Sequence, residues 1–376
     1  MHDCLIIGGG VVGLSLAYEL AGAGLSVHLV ERGQLGREAS WAGAGLLPPA
    51  LSREGASAVQ LDPMQQLEAV SHEMHRAWAA DLREATGLDT GYRRTGGMHI
   101  VGDSPNGPQI ESDLRTAMAD RRRLGIEVRE LSTANVKKME PSLAPVSCAF
   151  LLPDECQIRN PRHLKALAAA ATLRGVQITT GVEATDLVVR GGRIDGVATA
   201  QGVLQADRYC ICGGPWSATL LARVGCRVEM RPVRGQMLLV QTSPTLLRRI
   251  VNEGPRYVVP RGDGRYLVGS TVEDAGFDCR TTAAGIGGLL EFAQRLVPAL
   301  GDAQLERSWA GLRPGSVDGL PYLGRVPNLS NLFVAAGHFR AGLHLSTGTA
   351  RVMSQLMRDL APEIDLTPFR PDRIVS

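Results

Sequence analysis

The sequence predicts an α/β protein. A Rossmann-type domain with a mixed, mainly parallel sheet is interleaved along the chain with an α+β domain built on an antiparallel sheet. Three observations carry this expectation. A strand, a glycine run, a helix and a second strand open the chain within residues 3–31. The same α/β rhythm returns after Pro161 and again near Leu332. Turn-rich, β-rich sequence fills the intervals between them.

In order along the chain, residues 3–7 read as a short buried strand and Val11 to Gly24 as a helix, with Val12, Leu16, Ala17 and Leu20 at helical spacing. Gly22 and Gly24 end that helix, and Ser26–Val30 is the second strand, closing on Glu31. Residues 33–62, rich in Gly, Ala, Ser and Pro, read as an extended loop. Residues 63–86 form a helix with Leu67, Val70, Met74, Trp78 and Leu82 on one face. A strand or hairpin follows over 90–101, then helices over 109–125 and 132–139. Pro141–Pro161 reads as a connection. Beyond it come a helix over 161–174, a strand from Val176, a hairpin over 187–197 turning on Gly191-Gly192, and a strand from Arg208 into Gly213-Gly214. Residues 227–316 are β-rich with one helix near 283–297. Leu332–Ala336 is a buried strand, and a last helix spans 347–360.

The bulk composition narrows the function classes. The 376 residues suffice for two domains, and 44% hydrophobic, 21% charged is ordinary for a soluble globular protein. The net charge of +2 and the lack of a basic, aromatic-interleaved stripe argue against nucleic acid; Arg121-Arg122-Arg123 reads as a solvated helix face. Seven cysteines show no C-x-x-C spacing and no accompanying His cluster, so no metal site is expected and they read as buried, reduced thiols of a cytoplasmic protein. The apolar stretch 4–20 lacks a basic leader and carries three consecutive glycines, which argues against a signal peptide. No apolar run is long enough to predict a membrane span.

The chemistry begins at Gly8-x-Gly10-x-x-Gly13, which follows a strand, opens a helix and is followed by an acid, Glu31. Each residue type has a reason. Gly8 permits a tight turn, Gly10 lets a pyrophosphate approach the backbone, and Gly13 lets helix and strand pack closely. The helix N-terminus offers unpaired N–H groups to phosphate. Glu31 suits a ribose diol and repels a 2′-phosphate. Three distant small-residue segments extend the ligand beyond NAD towards FAD: Glu38–Leu46, Cys210–Ser217 with Gly213, Gly214 and Trp216, and Ala335–Gly342.

With those segments in view, the chain resembles the D-amino-acid oxidase family of FAD-dependent oxidoreductases, and within it the glycine oxidases of thiamine biosynthesis. The resemblance is strongest over 5–46 and 305–348. Its most specific stretches are Trp309-Ala-Gly-Leu-Arg-Pro-Gly-Ser-Val-Asp-Gly-Leu-Pro-Tyr-Leu-Gly324 and Gly337-His-Phe-Arg-Ala-Gly342; Arg256–Thr271 resembles the family's substrate hairpin. The resemblance implies non-covalent FAD, with flavin contacts at Val11, Val12, Glu31, Arg32, Ala39, Ser40, Ala44, Gly45, Leu46, Val182 and the run His338, Phe339, Arg340, Ala341, Gly342, Leu343 and His344. It implies a substrate carboxylate on Arg313, Tyr257 over the substrate, a second arginine at Arg340, and a homo-oligomer. Ala341 stands where a glycine oxidase would carry Asn, and His344–Thr347 replaces a Leu and Ala-Pro pattern. No cysteine lies in 309–324, where a covalent flavin link would be expected.

The expected organisation is an FAD-binding domain over 1–85, 145–225 and 317–376, and a substrate domain over 86–144 and 226–316. The expected reaction is oxidative deamination of glycine, sarcosine or small D-amino acids by hydride transfer to flavin N5. It would give a 2-oxo acid, ammonia or amine, and H2O2, with O2 as acceptor. Two alternatives stay open: a dehydrogenase of similar fold using another acceptor, and a non-catalytic or tRNA-modifying flavin scaffold. Arg313, planar and permanently charged, is the natural carboxylate anchor. His338 is read as a backbone-mediated flavin contact rather than a base.

Overall fold

A computed structural model describes residues 1–51, 61–103, 106–243 and 245–373. Part of the expected loop over 33–62 therefore lies outside the described residues. Its described portion contains a short helix, Ala39–Ala42, and a short strand, Leu46–Leu47.

The N-terminal unit forms as the sequence predicts. Strand His2–Ile7 enters helix Val11–Gly22, and strand Val27–Glu31 returns parallel to the first. These strands sit centrally in a six-stranded sheet. Its order is Tyr322–Arg325, Leu332–Ala336, Ala206–Ile211, His2–Ile7, Val27–Glu31 and Gln177–Thr180. Every neighbouring pair is parallel except Tyr322–Arg325 against Leu332–Ala336. Being covered on both faces, the two central strands carry continuous apolar runs, Cys4–Ile7 and Tyr209–Ile211, rather than alternating. Helices Val11–Gly22, Pro63–Thr86, Asn160–Leu173 and Ser346–Met357 pack on one face in a single core with Leu16, Leu67, Trp78, Leu167 and Met353. The antiparallel meander over Asp186–Leu204, turning at Gly191 and Gly192 with positive φ, helps cover the other.

The second large sheet has eight strands. Their order is Gln304–Ser316, Met230–Gln241, Arg265–Gly269, Arg256–Pro260, Ile250–Glu253, Gly97–Gly102, Val146–Leu152 and Arg129–Glu130. All pairs are antiparallel except Ile250–Glu253 with Gly97–Gly102. The two longest strands, Met230–Gln241 and Gln304–Ser316, pair along almost their whole length with one bulge at Leu239/Val240. Helix Ala283–Leu296 closes the core behind them through Leu289, Phe292 and Leu296.

One sequence expectation is corrected here. Pro141–Pro161, read as a connection and placed from residue 145 with the FAD-binding segments, contains strand Val146–Leu152, which pairs with Gly97–Gly102 in the eight-stranded sheet. Its apolar run lies between prolines that sit outside the ladder, so they bound the strand rather than break it. The thiols are also less uniform than expected: six are buried, and Cys279 is exposed.

Candidate active site

The carboxyl ends of the parallel strands face the eight-stranded sheet across a cavity of about 520 Å³. One end of it is built by the glycine turn. Gly8 has φ +114°, and a Cβ there would come 2.5 Å from the Cys212 carbonyl oxygen. Gly10 caps the helix without a side-chain bond, and a Cβ on it would have only Ser40 Oγ nearby, at 3.1 Å. The amide of Val11 donates to Ser40 Oγ at 2.9 Å. The next two amides of the helix have no intrahelical partner, as in any first turn, and are left for an anion. Glu31 lines the same space. Its carboxylate accepts from the amides of Gly9 at 2.8 Å and Gly33 at 2.9 Å, which fixes its orientation and leaves lone pairs for hydroxyl donors. Arg32 lies 3.7 Å over the Trp216 ring, so a cation and an aromatic form one wall, and Phe277 packs on Trp216 from outside the cavity.

The loop over 38–46 is clamped between the two sheets. Trp309 Nε1 donates to the Ala42 carbonyl at 3.1 Å. Arg261, half-buried, donates to the Ala44 carbonyl at 2.6 Å and to Gln157 Oε1 and the Ile158 carbonyl at 3.0 and 3.1 Å; desolvation draws its pKa down to about 10. Asn160 Nδ2 donates to the Ser40 carbonyl at 2.7 Å, while its buried Oδ1 has no protein partner and borders the cavity. Gly45, at φ +73°, lies so close to the Ile158 carbonyl and Asn160 that a side chain would overlap both.

Arg313 occupies the other end. It pairs with Val233 across the long ladder, and its guanidinium lies over Gly235, where a Cβ would overlap it. Nη2 donates to Ser270 Oγ at 2.8 Å, and Nη1 to the Thr271 carbonyl at 3.1 Å. No carboxylate among the described residues lies within ion-pair distance of it. Burial lowers its pKa, and the nearby Arg340 adds to this, while Tyr257 and Glu273 oppose it. Tyr257, 7% exposed, also lines the cavity, with its hydroxyl 3.4 Å from Met237 Sδ. Arg340 sits at the rim with an exposed side chain and donates to the Pro255 carbonyl at 3.0 Å, tying the 338–343 segment to the hairpin that carries Tyr257.

The cavity thus gathers nearly every residue named on sequence: Gly8, Gly10, Val11, Val12, Glu31, Arg32, Ala39, Ser40, Ala44, Gly45, Leu46, Val182, Gly213, Gly214, Trp216, Tyr257, Arg313, His338, Phe339, Arg340, Gly342 and Leu343. Three are not on its wall. Gly13 lies beneath, where a Cβ would overlap the Gly8 carbonyl, so it serves helix–strand packing. Ala341 packs against the helical core, and His344 is buried in it. His338 is fully buried and bonded to Thr349 Oγ1 at 3.0 Å; burial lowers its pKa to about 4, so it is neutral at physiological pH. Sequence reasoning missed Asn160, Gly235, Met237 and Arg261. Only Arg261 lay inside a stretch already singled out. The others are contributed by chain crossings that local sequence does not reveal.

A glycine cradle, free helix amides, a fixed carboxylate and one continuous cavity reaching a half-buried guanidinium fit an extended dinucleotide cofactor such as FAD. Comparison with known proteins agrees. The family model "FAD dependent oxidoreductase" (DAO) matches residues 3–356. A glycine oxidase of Pseudomonas aeruginosa is 35% identical over 369 residues, covering 98% of each chain. A bifunctional ThiO/ThiG protein of Synechocystis is 34% identical, with all of this chain matching 54% of that one. The crystal structure of glycine oxidase from Geobacillus kaustophilus superposes with a TM-score of 0.91 at 33% identity, covering 100% of this chain and 99% of that one. The chain therefore belongs to the DAO family of FAD-dependent oxidoreductases.

Proposed function

We propose that this enzyme is an amino-acid oxidase of the glycine oxidase type, deaminating glycine, sarcosine or small D-amino acids. The observation that carries the reading is Arg313: a half-buried guanidinium with only neutral hydrogen-bond partners, facing the cofactor cavity. Partial desolvation without a counter-ion is unfavourable for the cation, and an anionic substrate supplies the missing charge. The planar fork of Arg313 suits a carboxylate through two parallel hydrogen bonds. Tyr257 stands beside it, able to donate to the carboxylate and to cover the substrate. Arg340, at the rim, is placed to meet the substrate's negative charge on entry. Ala44, Leu46 and Met237 form an apolar wall that restricts water. The glycine turn and Glu31 hold the nucleotide half of the cofactor, and the 38–46 and 338–343 segments hold the rest. Bound FAD supplies the electron acceptor for the Cα–H of a neutral amine, and the imine released is hydrolysed to a 2-oxo acid and ammonia or amine. Neutral His338 is bonded to Thr349 and is not available as a base.

The acceptor is O2, giving H2O2, and the named relatives support a role in thiamine biosynthesis. No helix among the described residues is long and apolar enough to cross a membrane. The cytoplasmic location is proposed from the free thiols, and the homo-oligomeric state from the family resemblance. Peroxide formation from glycine, sarcosine, D-alanine and D-proline, measured beside anaerobic bleaching of the flavin, tests the reaction. Bleaching without peroxide would point to a dehydrogenase, and no bleaching with any of them would overturn the substrate reading. Arg313→Ala should raise KM for glycine about a hundredfold while leaving FAD bound. An unchanged KM would remove Arg313 from the carboxylate role.

A further inference from the structure

Helix Pro63–Thr86 faces the core with Leu67, Val70, Trp78 and Leu82, yet it also buries Ser71 and His75, one helical turn apart on the same side. Neither lines the cavity. Both grip the start of the last helix. His75 Nε2 lies 3.0 Å from the Leu343 carbonyl oxygen and 2.9 Å from that of His344. Thr347 Oγ1 donates to the Ser71 carbonyl at 3.0 Å, and the Gly348 amide to Ser71 Oγ at 3.2 Å. A Cβ on Gly348 would overlap Ser71, so glycine is what lets the two helices approach this closely.

Two carbonyl acceptors require a proton on Nε2, which settles the His75 tautomer. Burial lowers its pKa to about 4, so the ring stays neutral. The carbonyl and N–H of a trans peptide point in opposite directions. With the Leu343 carbonyl turned onto His75, the His344 amide points away from helix Pro63–Thr86, and the two residues before it, Gly342 and Leu343, line the cavity. The Leu345 amide closes the turn on the Ala341 carbonyl at 2.8 Å. Around this contact lie buried ring nitrogens with no protein partner: His75 Nδ1, both nitrogens of His163, and His344 Nε2. The His75 and His163 rings are 6.3 Å apart. Such a polar island inside an apolar core is a site for ordered water, which would brace the imidazole from behind.

We propose that His75 is a positioning residue for the cofactor: by holding the Leu343 and His344 carbonyls it fixes the segment 338–343 against the flavin and sets FAD affinity without touching FAD. The proposal rests on the placement of FAD in the cavity described above. The test is fluorescence titration of the apoproteins with FAD, with thermal unfolding to verify folding. His75→Met fills the space but removes the donor. It should weaken FAD binding roughly tenfold and shift the flavin midpoint potential. His75→Gln can present an amide N–H to the same carbonyls, and should stay within about threefold of wild type. Mere core packing predicts the reverse order, because Met then suits the site better than Gln. Equal FAD affinity in wild type and folded His75→Met would overturn the proposal, as would a tenfold loss in folded His75→Gln if His75→Met proves insoluble. Failure of the wild-type apoprotein to bind FAD at all would be a different result, overturning the site reading together with this inference.

Discussion

Gly235 lies opposite Gly311 in the long ladder, and any side chain on it would overlap the Arg313 guanidinium. Strand geometry explains the arrangement. Val233, Gly235 and Met237 share one face of their strand at a period of two, and Arg313 crosses that face from its neighbour. The guanidinium can lie flat over the strand only because its middle position is bare. Gly235→Ala should therefore displace Arg313 while leaving the cofactor in place. The expected result is a rise of roughly tenfold or more in KM for glycine, with the visible spectrum of bound FAD retained. A wild-type KM in that variant would show that the guanidinium position is not what binds the carboxylate.

At the scale of elements, the strand–turn–helix unit puts its glycines to two different uses. Gly10 is open towards the cavity, whereas Gly13 is pressed against the Gly8 carbonyl inside the protein. Gly10→Ala should fold normally and bind FAD at least tenfold more weakly, since the new methyl group occupies the cofactor's approach. Gly13→Ala should instead lower the unfolding temperature of the apoprotein, because a Cβ 2.0 Å from the Gly8 carbonyl oxygen forces helix and strand apart by about an ångström. Thermal melts of both apoproteins beside FAD titrations distinguish the roles. Equal melting points for the two variants would refute the assignment.

At the scale of the whole molecule, four buried imidazoles tie stability to pH. Burial lowers the pKa of His75 and His338 to about 4, and of His163 and His344 to about 3. In the unfolded chain each returns to about 6.5. Between those values the unfolded state binds more protons than the folded one, so stability rises with pH across that window. It is fully present above about pH 6.5 and is lost as the pH falls towards the folded values. Each imidazole accounts for on the order of 2 kcal/mol between about pH 6.5 and 5. Asp89, held down to about 2 by Arg93, titrates below this window. The melting temperature of the apoprotein should fall continuously from pH 7 to pH 5, and a flat profile would show that the rings are solvated.

The same scale shows what could be read before folding and what could not. The sequence by itself determined the dinucleotide end: strand, glycine spacing, helix and acid are all local, and local order follows from backbone sterics and periodicity over a few residues. It also located Arg313, Tyr257 and the 338–343 turn, through a long and specific family pattern. Tertiary structure decided the rest. Val146–Leu152 joined the eight-stranded sheet because pairing partners are chosen by topology, and a short apolar run between prolines carries no mark of its partner. Gly235 gained its role only when Arg313 crossed over it, and Asn160 only when its helix met the 38–46 loop. His75 gained its two carbonyls from a segment 268 and 269 residues away. A buried polar group is explained by what surrounds it, and those surroundings exist only after distant parts of the chain have packed together.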